Sequence, residues 1–173
     1  MEDQSIAYVI LSGYRDYPER IDSDVDFMVS EQDFARLPEL FRESGCIKGA
    51  QLLQVLQHET SAAYYIFAQP VGAQLAFLHP DAAASYRRRG RMWLRSGDVL
   101  ASRRKSPNGF WIPAAHVEFH YYLVKRIDKA NVEAKHLETL AALMAENPEG
   151  CTKVLAECFG HNAPRVGQAI TNG

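Results

Sequence analysis

Asp24 and Asp26 stand with one residue between them in the stretch DSDVDFMVS. Val25, Phe27 and Val29 mark that stretch as a strand, and along a strand alternate side chains share a face. Both carboxylates therefore point one way, with Val25 and Phe27 pointing the other. Two carboxylates held side by side repel unless something positive sits between them. A divalent cation that prefers oxygen ligands, such as Mg2+, meets that need. Upstream, the apolar run Ile6–Leu11 ends in Ser12 and Gly13. Small residues at a strand-to-loop turn let backbone N–H groups come close to a phosphate. A carboxylate-held metal beside a phosphate turn is equipment for chemistry at a phosphoryl group.

The elements that position these residues follow from periodicity. Ile6–Leu11 is a continuous, β-branched-rich run and reads as a buried strand. Tyr14–Ile21 holds Pro18 with Arg15, Asp16, Glu19 and Arg20, and reads as a loop. Val25–Val29 is the second strand. Ser30 is an N-cap backed by Asp33. The helix after it spans Glu31–Ser44, with Phe34, Leu37, Leu40 and Phe41 at helical spacing. Pro38 is expected to kink or divide it, and Gly45 to end it. Gln51–Gln57, Ala62–Ala68 and Ala73–Leu78 read as an antiparallel meander, with Tyr64, Tyr65 and Phe67 in the sheet core. Arg91–Arg95 is a further short strand, with Ser96 capping a short helix through Val99 and Leu100. Helices are expected over Ala114–Ile127, Val132–Ala145 and Thr152–Phe159, the last stopping at Gly160.

The fold class is therefore α+β (mixed α/β), with a small mixed sheet of about five strands, flanking helices and a C-terminal helical cap. The expected division is a sheet domain over 1–105, a helical cap packed on it over 106–160, and a flexible tail over 161–173.

The totals exclude some classes of function. The chain has 173 residues, and its formal net charge of −2 argues against a protein that coats nucleic acid generally. No apolar run is long enough to span a bilayer. MEDQS is acidic and polar, unlike a secretory signal. Cys46, Cys151 and Cys158 have no metal-type spacing. They read as reduced thiols, which suits a cytoplasmic protein.

At Ser12-Gly13, ten residues, then Asp24-Val25-Asp26-Phe27, the sequence resembles the signature of the nucleotidyltransferase-fold (polymerase-β-like) superfamily, minimal nucleotidyltransferase type. The resemblance covers the first strand, turn, spacer and second strand, and more weakly the chain to about residue 100. It implies a Mg2+-dependent enzyme that moves a nucleotidyl group from a nucleoside triphosphate to a hydroxyl or phosphate on a small molecule, protein or RNA. Asp24 and Asp26 would hold Mg2+. Ser12 and Gly13, with Arg15 and Ser23, would cradle phosphates, and Arg88 in the basic run would assist. The family also uses a third carboxylate on a later strand. That strand is read as AQLAFL, and the expected position is Ala76, which is not acidic. Asp81, past Pro80, would serve only if the strand is shifted or the loop folds back; His79 is another candidate base. A chain without its third acid would instead be a catalytically degenerate domain that binds nucleotide or a partner protein, in a regulatory or scaffolding role.

Other groupings have plainer readings. Arg87, Arg88, Arg89, Arg91 and Arg95 form a basic run that suits phosphate or a phosphorylated acceptor. His116 and His120 are four apart on one helix with Glu118 between them, a spacing that suits zinc but not the HExxH pattern. Phe110 and Trp111 are expected to anchor the loop before the C-terminal helices.

Overall fold

A computed structural model describes residues 6–43, 47 and 49–172. The expected helix stop Gly45 and Cys46 lie outside the described residues. The chain forms two compact units, 1–112 and 113–173, and the boundary falls seven residues beyond the expected 105.

The first unit is a sheet with a helix on it. Its strands are β1 (Tyr8–Ile10), β2 (Val25–Val29), β3 (Gln51–Glu59), β4 (Ala62–Val71), β5 (Gln74–Leu78) and β6 (Pro80–Ala83). Among the described residues these make one six-stranded mixed sheet in the order β1-β2-β6-β4-β3, with β5 also paired to β4. The β2–β6 pair is parallel and the other pairs are antiparallel. Helix α1 (Glu31–Arg42) covers one face. Ser30 caps it as expected: the Asp33 N–H donates to Ser30 Oγ at 3.0 Å, and Ser30 Oγ–H donates to Asp33 Oδ2 at 2.8 Å. Pro38 lies inside α1, which runs unbroken through it. Phe41 of α1 meets Tyr65 and Phe67 of β4 edge-on, at 4.8 and 5.2 Å between ring centroids. Those two β4 rings are core, as expected. Tyr64, read with them as core, points to the opposite face.

Two small hairpins complete this unit. One joins β7 (Ser85–Arg88) to β8 (Arg91–Arg95), and the other joins β9 (Arg104–Lys105) to β10 (Trp111–Ile112). Helix α2 (Ser96–Ala101) lies between them in sequence, with Arg95 rather than Ser96 at its N-cap.

The second unit is helical: α3 (Ala115–Asp128), α4 (Ala134–Glu146), α5 (Pro148–Phe159), a 3-10 turn over Gly160–Asn162 and α6 (Ala163–Asn172). Phe119, Leu140, Cys151, Leu155 and Ile170 are among the residues of its core. The helix read as starting at Thr152 begins earlier, because Asn147 caps it and Pro148 takes its first turn; Asn147 Oδ1 accepts from the Gly150 N–H at 2.9 Å. The stretch expected to be a flexible tail is α6. Its Ala163, Gly167 and Ile170 are buried, and a Cβ on Gly167 would meet Leu155 Cδ1 at 3.3 Å. Small residues there allow close helix packing, which orders the stretch.

Candidate functional site

The site is one corner of the sheet, where β1 ends and β2 begins. The antiparallel register pairs Tyr8 with Val29 and Ile10 with Phe27. Pairing continues past β1, since the Leu11 N–H donates to the Asp26 carbonyl at 2.9 Å. That brings the Ser12–Gly13 turn alongside the start of β2. Ser12 is buried and Gly13 exposed. Gly13 has φ +76, and a Cβ there would meet nothing within 4 Å. Glycine is required for the left-handed backbone and not for space. The loop after it is tied down by aromatic contacts. Tyr14 and Tyr17 meet Phe110 at 5.9 and 6.3 Å, and Asn108 Nδ2 donates to the Tyr17 carbonyl. Phe110, expected to anchor the loop before the helices, thus meets the loop that follows Gly13. Arg15 and Ser23 are exposed on that loop.

On the other side of β2 lies β6, in parallel register: Val25 opposite Pro80, Asp26 opposite Asp81. Strand β4 continues the row with Tyr64 opposite Asp81. Residues facing each other across a ladder share a face. Asp26, Asp81 and Tyr64 therefore form one cross-strand row, and Asp24 is on the same face two residues before Asp26. The strand beside β2 is thus not AQLAFL. That segment is β5, where Ala76 pairs with Gln69 of β4. The carboxylate that stands opposite Asp26 is that of Asp81.

Asp24 is exposed, and its Oδ1 accepts from the Tyr64 hydroxyl at 2.8 Å. His79 Nδ1 lies 3.9 Å from the same oxygen. Burial, the hydrogen bond to Asp24 and the charges of Asp24 and Asp81 push the Tyr64 hydroxyl up to about 12. Tyr17, across the corner, is raised by burial and then by Asp26, Asp24 and Asp22. A phenol raised above its unfolded value near 10 prefers its proton in the folded state. Its stabilisation is complete below pH 10 and is lost as pH rises towards 12. Urea denaturation of wild type should therefore show stability falling over that range, and Tyr64→Phe should show a shallower fall. An equal fall in both would remove Tyr64 as a contributor.

Arg88 donates to Glu59 Oε1 at 2.7 Å, at the end of β3, and stacks on Tyr86 of its own hairpin at 4.6 Å. In the helical unit, His116 Nδ1 faces Asn147 Nδ2 at 3.2 Å and His120 Nε2 faces Cys158 Sγ at 3.6 Å. The two histidines thus meet different partners. Tyr122 and Arg126 both reach His136, at 2.8 and 3.4 Å. Cys151 is fully buried, and burial pushes its thiol up to about 11. Among the described residues, no group of three or more His, Cys, Asp or Glu side chains stands close enough to hold a metal ion. The same residues include no helix long and apolar enough to cross a membrane. A cavity of about 300 Å³ opens on the other face of β2, against Tyr17, Ile21, Val25 and Phe27. Its lining is almost wholly apolar, which does not suit a phosphate.

AAYYIFA is apolar throughout and so suggests core at every position, but strict alternation along a strand puts Tyr64 opposite Tyr65 and Phe67. The neighbours of His79 depend on strand β6, which has no apolar run to mark it.

No protein-family profile and no curated protein matches the chain. Among solved structures it is similar to the crystal structure of JHP933 from Helicobacter pylori, with 13% identity and a TM-score of 0.47 over 95% of this chain and 72% of that one. It is also similar to the crystal structure of a putative nucleotidyltransferase from H. pylori, with 11% identity and a TM-score of 0.31 over 96% of this chain and 86% of that one.

Proposed function

We propose that the chain transfers a nucleotidyl group from a Mg2+-bound nucleoside triphosphate to a hydroxyl or phosphate acceptor. The observation that carries this reading is the register of Asp26 with Asp81, on the face that also bears Asp24 and beside a small-residue turn. The donor set suits Mg2+, which commonly takes one or two carboxylates and fills the rest of its shell with water and substrate phosphates. A closed protein cage is not required. Asp24 and Asp26 would hold the ion, which would neutralise charge developing on the phosphates. Backbone N–H groups at Ser12–Gly13, with Arg15 and Ser23 nearby, would hold the triphosphate. Asp81 would accept the proton of the attacking hydroxyl. The acceptor oxygen forms a bond to the α-phosphorus, the bond from that phosphorus to the β-phosphate oxygen breaks, and pyrophosphate leaves.

A degenerate domain that binds nucleotide or a partner protein is the second reading, and the register of Asp81 with Asp26 favours transfer over it. Cys151 and Cys158 are thiols outside any disulfide, which suits a reducing, cytoplasmic setting. The test is pyrophosphate release from ATP with candidate acceptors, with and without Mg2+. Release that needs Mg2+ is expected, and release unchanged in excess EDTA would sink the proposal.

A further inference from the structure

The acid corner has two flanks, and strand order assigns them. On one side of β2 lies β1 with the Ser12–Gly13 turn; on the other lie β6 and β4. Attacking and leaving oxygens are roughly in line in phosphoryl transfer. If the triphosphate lies at the turn, the acceptor must approach over Asp81, Tyr64 and His79. We propose that the acceptor is a nucleoside, free or at the end of an RNA strand, whose base stacks on Phe77. This rests on the nucleotidyl-transfer reading above.

The acceptor flank carries a row of parallel rings. Tyr64 and His79 are 5.6 Å apart at 30° between planes, and His79 and Phe77 are 6.3 Å apart at 26°. The row begins at the acids, because the Tyr64 hydroxyl is bonded to Asp24. Its direction follows from one shared alignment. Strands β5 and β6 face β4 in the same register, with Leu78 opposite Phe67 and Asp81 opposite Tyr64. Phe77, His79 and Asp81 are therefore alternate residues on one face, about 6.6 Å apart along the strand. Strand β2 begins at Val25, opposite Pro80, so β5 projects past the acid end of β2. Phe77 is 54% exposed and Leu75, next along the same face, is 57% exposed.

These features select the occupant. A stack that ends in an exposed ring takes a planar group, and base–aromatic stacking is tolerant of base identity. Phe77 and Leu75 offer no charge for a polycationic sugar. The open ring is one ring beyond His79, so the planar group and the reacting hydroxyl must be separated, as base and ribose hydroxyl are. A tyrosine acceptor carries its hydroxyl on the ring and would place that ring at the acids instead.

The experiment follows fluorescence of 2-aminopurine riboside, and of an oligoadenylate ending in 2-aminopurine, on titration with the full chain. Mg·ATP binding is measured separately by calorimetry. Wild type should quench the probe, and Phe77→Ala should bind it about tenfold more weakly, the scale of one lost base stack. Leu75→Ser, also exposed, should give a smaller loss and guards against a folding artefact. Quenching of the free riboside alone identifies a small-molecule acceptor, and quenching of the oligonucleotide alone an RNA end; either supports the assignment. No quenching in wild type, equal binding in Phe77→Ala, or competition by a tyrosine peptide would overturn it. Loss of Mg·ATP affinity in Phe77→Ala would also overturn it, by placing the donor base on the stack. Failure of wild type to bind Mg·ATP strikes the nucleotidyl-transfer reading itself, while probe binding on Phe77 is read independently.

Discussion

Asp26→Asn is expected to lose Mg2+-dependent transfer on the order of a thousandfold while leaving the chain folded. The substitution keeps the shape of the side chain and removes its charge. A metal ion contributes several kcal/mol of charge stabilisation to the transition state, and about 1.4 kcal/mol is tenfold in rate. Losing most of that contribution gives the expected scale. The effect on stability runs the other way. Asp26 shares its face with Asp24 and stands opposite Asp81. Its charge also reaches Tyr17, which it helps to raise. Removing one like charge from this corner relieves repulsion, so Tm should be equal or higher, as at other sites where function costs stability. Pyrophosphate release and a thermal melt on the same preparation check both halves. Transfer within tenfold of wild type would remove Asp26 from the metal site. Lost activity with a lowered Tm would mean that the carboxylate is structural.

The second large effect separates Asp81 from Ala76 as the place of the third acid. Asp81→Asn should lower kcat by about 10²- to 10⁴-fold, the range for a general base, with Mg·ATP affinity nearly unchanged. Ala76→Asp should change neither, and adding it to Asp81→Asn should restore nothing. The reason is geometric. Ala76 lies five residues before Asp81 on strands that share one register against β4, so the two side chains point to opposite faces. Ala76 is also exposed, so an aspartate there should alter stability by no more than about 0.5 kcal/mol. Single-turnover transfer with pre-bound Mg·ATP separates the chemical step from binding. Rescue by Ala76→Asp would mean that β5, not β6, supplies the site.

The sequence by itself determined whatever depends on neighbours along the chain. The shared face of Asp24 and Asp26 is a period of two. The Ser12–Gly13 turn needs only small residues after an apolar strand. The Ser30 cap reaches three residues forward, and α3 and α4 follow from apolar spacing at 3.6. Each is local, and each was legible. Strand β6 was not. Pro80-Asp81-Ala82-Ala83 has poor strand propensity, and what makes it a strand is its place between β2 and β4, in pairings with Val25–Met28 and Ala62–Tyr64. Helix α6 was hidden for a related reason: its small residues matter only once Leu155 is beside Gly167.

Only the tertiary structure decided that Asp81 stands opposite Asp26, that Tyr64 turns its hydroxyl to Asp24, and that Arg88 donates to Glu59. These are contacts between residues 29 to 55 positions apart. Spacing along a chain sets which way a side chain points. Which side chain it meets is set by strand order and register, and those come from the packing of the whole sheet.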